Sequence, residues 1–371
     1  MISKKKLLNG LKFALFISIG VVILYLLYRN QNAAYQANCA LNGVPAENCS
    51  LLQKLWDDFK SVNYFWIFII FIANVISNMS RAIRWTMLLK TLGYRPRVTN
   101  AFLTTFVGYF TNLGLPRMGE VVRAGMMARY EHIPAEKVFG TVAVDRLVDV
   151  LSILVVTALA FLLDFDTIWR FVDGYVNLGD KFGGSSNFLL AFASVAGVLI
   201  VLFFILRKRL LEYAFFKRIA KIAQGFWQGL QTIGKVKRPW LFVLHSINIW
   251  FMYYLMCYFC FWAFAPTAGL TPVAALIVYV FGAWGMVVPS PGGMGTYHFL
   301  AQLALGFYGI NGDDAFSWAN ISFFLGSMAG NVIGGILSLI LLPIVNKGYH
   351  PVPVNEVKYE IGNEQQLTVN S

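Results

Sequence analysis

Apolar runs long enough to cross a lipid bilayer recur along the whole chain, and this one feature removes almost every fold open to a water-soluble protein. Residues 7–28, 64–89, 138–163, 187–206, 240–264 and 318–345 each reach the length, ~20 residues, that a helix needs to traverse a hydrocarbon core ~30 Å thick. Of the 371 residues 58% are hydrophobic and only 13% are charged, where a soluble domain carries ~25% charged residues. The expected class is therefore an all-α integral membrane protein, with no room for a separate soluble domain of ordinary size.

The net charge of +12 would suggest nucleic acid as a partner of a soluble chain. Here it fixes orientation instead, because cytoplasmic loops collect Lys and Arg. Lys4, Lys5 and Lys6 precede the first run, which is too long for an ordinary signal-peptide core and has no cleavage pattern after it. It reads as an uncleaved signal anchor with a cytoplasmic N-terminus. The second run ends among Arg81, Arg84, Lys90, Arg95 and Arg97. Residues 101–115 differ: they stop at a Gly-Leu-Pro-Arg-Met-Gly-Glu turn, and a single crossing there would put the loop 207–238, with its nine Lys and Arg, outside. The positive-inside rule rejects that, so this segment is expected to be a re-entrant hairpin entered from the cytoplasm, its broken backbone shielded by protein. The acidic loop 164–186 then lies outside, and the apolar stripe Leu211, Phe215, Ile219, Ile222, Phe226, Leu230, Ile233 reads as a helix lying on an anionic leaflet. Segments 272–288 and 296–310, around the turn 289–295, form a second hairpin.

Six full spans and two hairpins follow, with both termini in the cytoplasm of a multi-pass cell-membrane protein. Residues 1–62 form an anchor and extracytoplasmic loop, 63–345 the transmembrane domain, and 346–371 a cytoplasmic tail. Halves 63–163 and 240–345, linked by 164–239, each run long helix, broken hairpin, long helix and enter from opposite sides, the pattern of an inverted repeat. Cys39 and Cys49, outside the cytoplasm, are expected to pair; Cys257 and Cys260, inside an apolar helix, read as packing residues. Gly326, Gly330 and Gly334 suit close helix packing.

Charges inside such a membrane domain are candidate functional residues by default. Asp145, Arg146 and Asp149 fall ~10–17 Å into the core. Asp145 and Asp149 share a helical face, and Arg146 is within reach of Asp149. Two readings stand side by side: an ion-pair lock between helices, or a polar cavity for a charged headgroup. Arg117, Glu120 and Arg123 surround the first turn, where planar guanidinium forks and free N–H groups of a helix starting after Gly119 suit a phosphate. Arg84 shares a face with Arg81 and reads as snorkelling to the interface, though it is also a candidate headgroup contact. In the second turn Gly292, Gly293 and Gly295 allow close backbone approach, and His298 either titrates near a headgroup or packs. No nucleophile motif, metal-ligand pattern or nucleotide fingerprint is present, so no metal, cofactor or independent enzymatic activity is expected.

Arg81-Ala82-Ile83-Arg84-Trp85, the stretch from Asn112 to Arg123, Asp145-Arg146-Leu147-Val148-Asp149 and Pro291-Gly292-Gly293-Met294-Gly295 together resemble the lysylphosphatidylglycerol synthase transmembrane-region, or flippase-like, family. The resemblance runs from the second span to the last. It implies movement of a lipid between leaflets, as in the multiple peptide resistance factor, where a related domain moves aminoacylated phosphatidylglycerol and is fused to a soluble aminoacyl-transferase domain. That catalytic domain is not expected here, because the chain ends about 26 residues after the last run. The resulting expectation is a transporter of a charged-headgroup phospholipid or polyprenyl-linked lipid, working by rocking of its two halves. Its partner is membrane phospholipid and not nucleic acid, and a homo-oligomer is compatible with the chain. The rival reading is a non-transporting partner of a separate lipid-modifying or glycosyl-transferring enzyme.

Overall fold

A computed structural model of the protein describes residues 49–115, 118–176, 233–288 and 293–351, with parts of 22–45 and the single positions 194 and 231. Most of the run 7–28, the whole of 187–206 except position 194, the apolar stripe 211–233 except Ile233, and the tail beyond residue 351 lie outside the described residues. The rest is helical. In order come α1 (Leu51–Ser61), α2 (Tyr64–Lys90), α3 (Val98–Gly114), α4 (Gly119–Glu131), α5 (Ala135–Leu163), α6 (Phe165–Val176), α7 (Pro239–Ala263), α8 (Pro272–Val287), α9 (Thr296–Gly306) and α10 (Gly312–Val345), which passes through a π-helical stretch at Ser322–Met328. Among the described residues α2, α5, α7 and α10 are long and apolar enough to cross a bilayer.

Local chemistry sets the boundaries. The Asn63 side chain accepts from Phe65 N–H at 3.1 Å to open α2, and Thr271 accepts from Ala274 N–H at 3.1 Å to open α8 just before Pro272. His132 takes the left-handed conformation (φ 51°) that ends α4, and Pro134 follows as the lead-in to α5. Three boundaries differ from expectation. The last long helix starts at Gly312, six positions earlier than its apolar run, because Asp313 and Asp314 are stabilising in a first turn and both pair with Lys54 (3.7 and 2.7 Å). The stretch ahead of the second run contains α1, and the acidic loop begins as the amphipathic α6; both are short helices whose polar faces hid them in a reading keyed to long apolar runs.

The long helices α2 and α7 pack along each other as the central pair, antiparallel by their shared ends: Asn63 N–H donates to Ala263 C=O at 2.9 Å. Around this pair α3 rests on α10 and α8 on α5. Small residues make these crossings close. Phe106 and Phe110 of α3 sit where a side chain at Gly334 or Gly335 would have to go, and Gly330 faces Phe71 and Asn74 of α2. Gly334 and Gly330 thus act as expected, while Gly335 lay outside the spacing-by-four pattern.

The two ends of the bundle differ in charge. At one end, Asp164 accepts from Tyr308 O–H at 2.7 Å, Asp57 and Asp58 stand on α1 with the Cys39–Cys49 disulfide beside it, and Lys54 bridges Asp58 and Asp314 at 2.8 and 2.7 Å. At the other, Lys90, Arg95, Arg97, Arg129, Lys137, Lys235, Lys237 and Lys347 gather. That basic end is closed by a clasp. Glu131 accepts from Arg97 N–H (3.0 Å), Asn100 (2.6 Å) and the Tyr349 hydroxyl (2.9 Å), while Asn100 and Asn346 bond reciprocally and the Arg97 guanidinium lies 3.5 Å over the Tyr349 ring. Burial and the bond to Glu131 push the Tyr349 phenol up to about 12.

Burial works against the charge of Lys54, but its bonds to Asp314 and Asp58 outweigh that and raise it from the ordinary 10.5 to about 12. The folded value lies above the unfolded one, so this contact stabilises fully below pH 10.5 and is lost as pH rises through about 12. Lys54→Met is expected to lower the thermal midpoint at neutral pH by the equivalent of about 1–2 kcal/mol, and the gap from wild type should close above pH 10.5. A gap unchanged at high pH would mean that Lys54 acts through packing alone.

Candidate functional site

Arg84, Glu120, Arg123, Asp145, Arg146 and Asp149, all singled out by the sequence, meet at one point, where α2, α4, α5 and α7 converge. Asp145 and Asp149 lie about 15 and 21 Å from the start of α5. They meet Arg81 and Arg84, one turn apart on the facing side of α2. Arg84 donates from Nε and Nη2 to Asp145 Oδ1 (2.9 and 2.6 Å), from Nη2 to Asp149 Oδ1 (2.7 Å) and from Nη1 to Ser246 Oγ of α7 (3.2 Å). Arg81 Nη1 donates to Asp149 Oδ2 at 2.6 Å and stands 3.5 Å from Asp145 Oδ2. From the hairpin, Arg123 Nη2 donates to Asp145 Oδ2 at 3.0 Å, and the guanidinium stacks 4.8 Å over Trp85. Arg146 Nη1 donates to Asp149 Oδ2 at 3.1 Å. Glu120 joins the two outer cations, with Oε1 at 2.7 Å from Arg146 Nη2 and Oε2 at 2.8 Å from Arg123 Nε.

The cluster has a sealed side and an open one. Side chains of Arg84 and Asp145 are 0% exposed, against 28% for Glu120 and 37% for Arg146, so the accessible side of the cluster is the one that carries Glu120 and Arg146. Burying such charges is costly unless each is paired, and here the pairs come from different helices. The pairs tie α4 and α5 to α2, the geometry that the ion-pair reading calls for. Arg84 does not snorkel: it is the most enclosed cation of the group, because Asp145, Asp149 and Ser246 surround it.

The other candidates fall elsewhere. Asn112 bridges the hairpin break by accepting from Gly119 N–H at 2.7 Å, which satisfies an N–H at the start of α4. Arg117 and Gly292 lie outside the described residues. Gly293 and Gly295 both adopt φ 83°, the region glycine tolerates, and a side chain on Gly293 would strike Met286. His298 is fully buried among Tyr297, Phe323 and Phe324, and its Nδ1 accepts from Gly295 N–H at 3.3 Å, capping its own helix. It is thus a packing and capping residue of the second hairpin, with aromatic neighbours. Cys257 and Cys260 are buried free thiols, as expected, and Cys257 donates to Ala275 C=O.

Sequence reasoning selected Arg84 and passed over Arg81, although the i,i+3 pair was visible. It also passed over Ser246, a lone hydroxyl in an apolar helix with no pattern to mark it. Beside the cluster, Asn248 donates to Ser80 at 2.7 Å and the Tyr109 and Tyr253 hydroxyls approach to 3.5 Å, extending polarity towards the centre of the bundle.

Over 101 residues, 26% of this chain, the sequence is 32% identical to a UPF0104 membrane protein of Methanocaldococcus jannaschii; the match covers 30% of that relative's length. No solved structure matches the chain. The profile of the family described as "Lysylphosphatidylglycerol synthase TM region" matches residues 50–334, a span that includes every charge of the cluster, and the chain belongs to that family.

Proposed function

We propose that this protein moves a lipid with a charged headgroup, a phospholipid or a polyprenyl-linked lipid, between the leaflets of a cell membrane. The observation that carries the reading is the buried cluster of Arg81, Arg84, Arg123, Arg146, Glu120, Asp145 and Asp149 at the break of the first hairpin, since charges are retained at such depth when they serve a substrate path. Helix lengths support two re-entrant hairpins. At ~1.5 Å per residue, α3, α4, α8 and α9 run about 25, 20, 24 and 17 Å, each short of a ~30 Å core. The reciprocal packing of α3 on α10 and α8 on α5 supports an inverted repeat. The basic end faces the cytoplasm in this reading, and the disulfide end faces outward.

The same packing argues against rocking of two separate halves, because each hairpin is seated on the opposite half. Tilting of the hairpins against the α2/α7 pair fits better. Arg123, on the hairpin and in the cluster, couples that motion to a headgroup, while acyl chains remain in lipid.

The test is exchange of headgroup-labelled phospholipids across proteoliposome membranes. Wild type is expected to accelerate it and Arg123→Gln to reduce it at least about tenfold, in protein that remains monodisperse. No acceleration with phospholipid or polyprenyl-linked lipid would reject transport and favour the partner-protein reading.

A further inference from the structure

Every carboxylate oxygen in the cluster already faces a guanidinium group: both oxygens of Asp145, both of Asp149 and both of Glu120 lie within 3.5 Å of one. Among the buried carboxylate oxygens of the cluster only Glu120 Oε2 lacks a hydrogen bond, and it is already ion-paired to Arg123 Nε at 2.8 Å. Donors are in surplus, since Arg81 Nε, Arg123 Nη1 and Arg146 Nε are buried with no hydrogen-bond partner. Among the described residues the cluster holds four guanidinium groups against three carboxylates, one unit of net positive charge. Such a site favours an anion over an ammonium group.

The three carboxylates are not equivalent. Asp145 and Asp149 belong to the spanning helix α5, and each is held by at least three guanidinium groups. Glu120 belongs to the first turn of the hairpin helix, stands at the open rim, and pairs with Arg123 Nε and Arg146 Nη2 without hydrogen-bond alignment. It bridges Arg123 and Arg146 as two oxygens of a phosphate would.

We infer that Glu120 is a built-in stand-in for the phosphate of an anionic lipid headgroup, which displaces it from Arg123 and Arg146, and that the site selects anionic over zwitterionic and cationic headgroups. The inference rests on the reading of this cluster as the lipid site. The displaced Glu120 swings to the rim, where it is already 28% exposed, and two like charges need not share the site.

The experiment is lipid retention by the purified full chain in neutral detergent, offered phosphatidylglycerol, phosphatidylcholine or lysylphosphatidylglycerol and read by mass spectrometry. Phosphatidylglycerol is expected to be retained about tenfold over the other two. Glu120→Gln, which keeps the shape and removes the competing charge, is expected to strengthen its retention about tenfold, and Arg123→Gln to abolish it. Preference for the lysyl lipid, or phosphatidylglycerol retention that is unchanged or weaker in Glu120→Gln, overturns the inference. The wild-type ranking alone tests the selectivity if a variant fails to fold. Selective retention without leaflet exchange would keep this inference and reject transport; exchange of a cationic lipid that depends on Glu120 would do the reverse.

Discussion

Asp145→Ala is expected to lower the stability of the folded chain by about 3–5 kcal/mol, the cost of leaving buried charge without its partner. Asp145 is completely enclosed and takes two bonds from Arg84 and one from Arg123, both of them also buried. Its loss leaves those guanidinium groups facing each other and Arg81 with no intervening anion on that side. The readout is the temperature at which the detergent-solubilised chain loses its monodisperse elution peak, and an unchanged value would mean that water already screens the cluster. The companion variant is Arg84→Met with Asp145→Leu. Replacing both ends of a buried pair by apolar groups of similar volume restores stability where the pair served as a lock. If the double variant is stable but no longer exchanges lipid, the cluster serves both structure and substrate; if it is stable and still exchanges lipid, these two residues are lock alone.

Class and site were legible in the sequence to different depths, for a physical reason in each case. A bilayer imposes length and apolarity on spanning segments, so α2, α5 and α7 were readable to within three residues. The same rule makes an intramembrane charge conspicuous, which is why Arg84, Glu120, Arg123, Asp145, Arg146 and Asp149 stand out from the residues alone, without their contacts. What sequence did not carry was partnership. Whether Arg84 turns inward or snorkels depends on which helix lies beside α2, and no spacing along α2 encodes that α5 and α7 do. Helices α1 and α6 went unread because an interfacial helix is short and half polar, and Lys54 has meaning only once Asp313 and Asp314 lie against it. The rule that points to charges also passes over uncharged groups, so Ser246 and the crossings at Gly335 and at Gly108 and Gly119 emerge only from packing.

One of those crossings sets the second large effect. Gly119 opens α4 at the hairpin break, with its N–H held by Asn112 at 2.7 Å, and the chain crosses there against Gly108 of α3. Even a methyl group on Gly119 would run into the Gly108 carbonyl oxygen and the Asn112 side chain. The carbonyl belongs to a helix backbone and cannot turn aside, so Gly119→Ala is expected to destabilise the fold by about 3 kcal/mol or more, at the upper end of overpacking costs. The strain falls on the turn that carries Glu120 and Arg123, and lipid exchange is expected to drop with it. Gly108→Ala should be milder, because its methyl group would meet Gly119 O at 3.0 Å and Arg123 Cβ at 3.1 Å, distances that a small shift relieves. On the same helix as Gly119, a methyl group at Gly125 would meet nothing within 4 Å, and Gly125→Ala should instead gain about 0.5–1 kcal/mol from helix propensity. Thermal midpoints ranked Gly125→Ala, wild type, Gly108→Ala, Gly119→Ala would bear out the crossing; equal midpoints for Gly119→Ala and Gly125→Ala would mean that α3 and α4 are not held backbone to backbone, and that Arg123 reaches Asp145 by some other support.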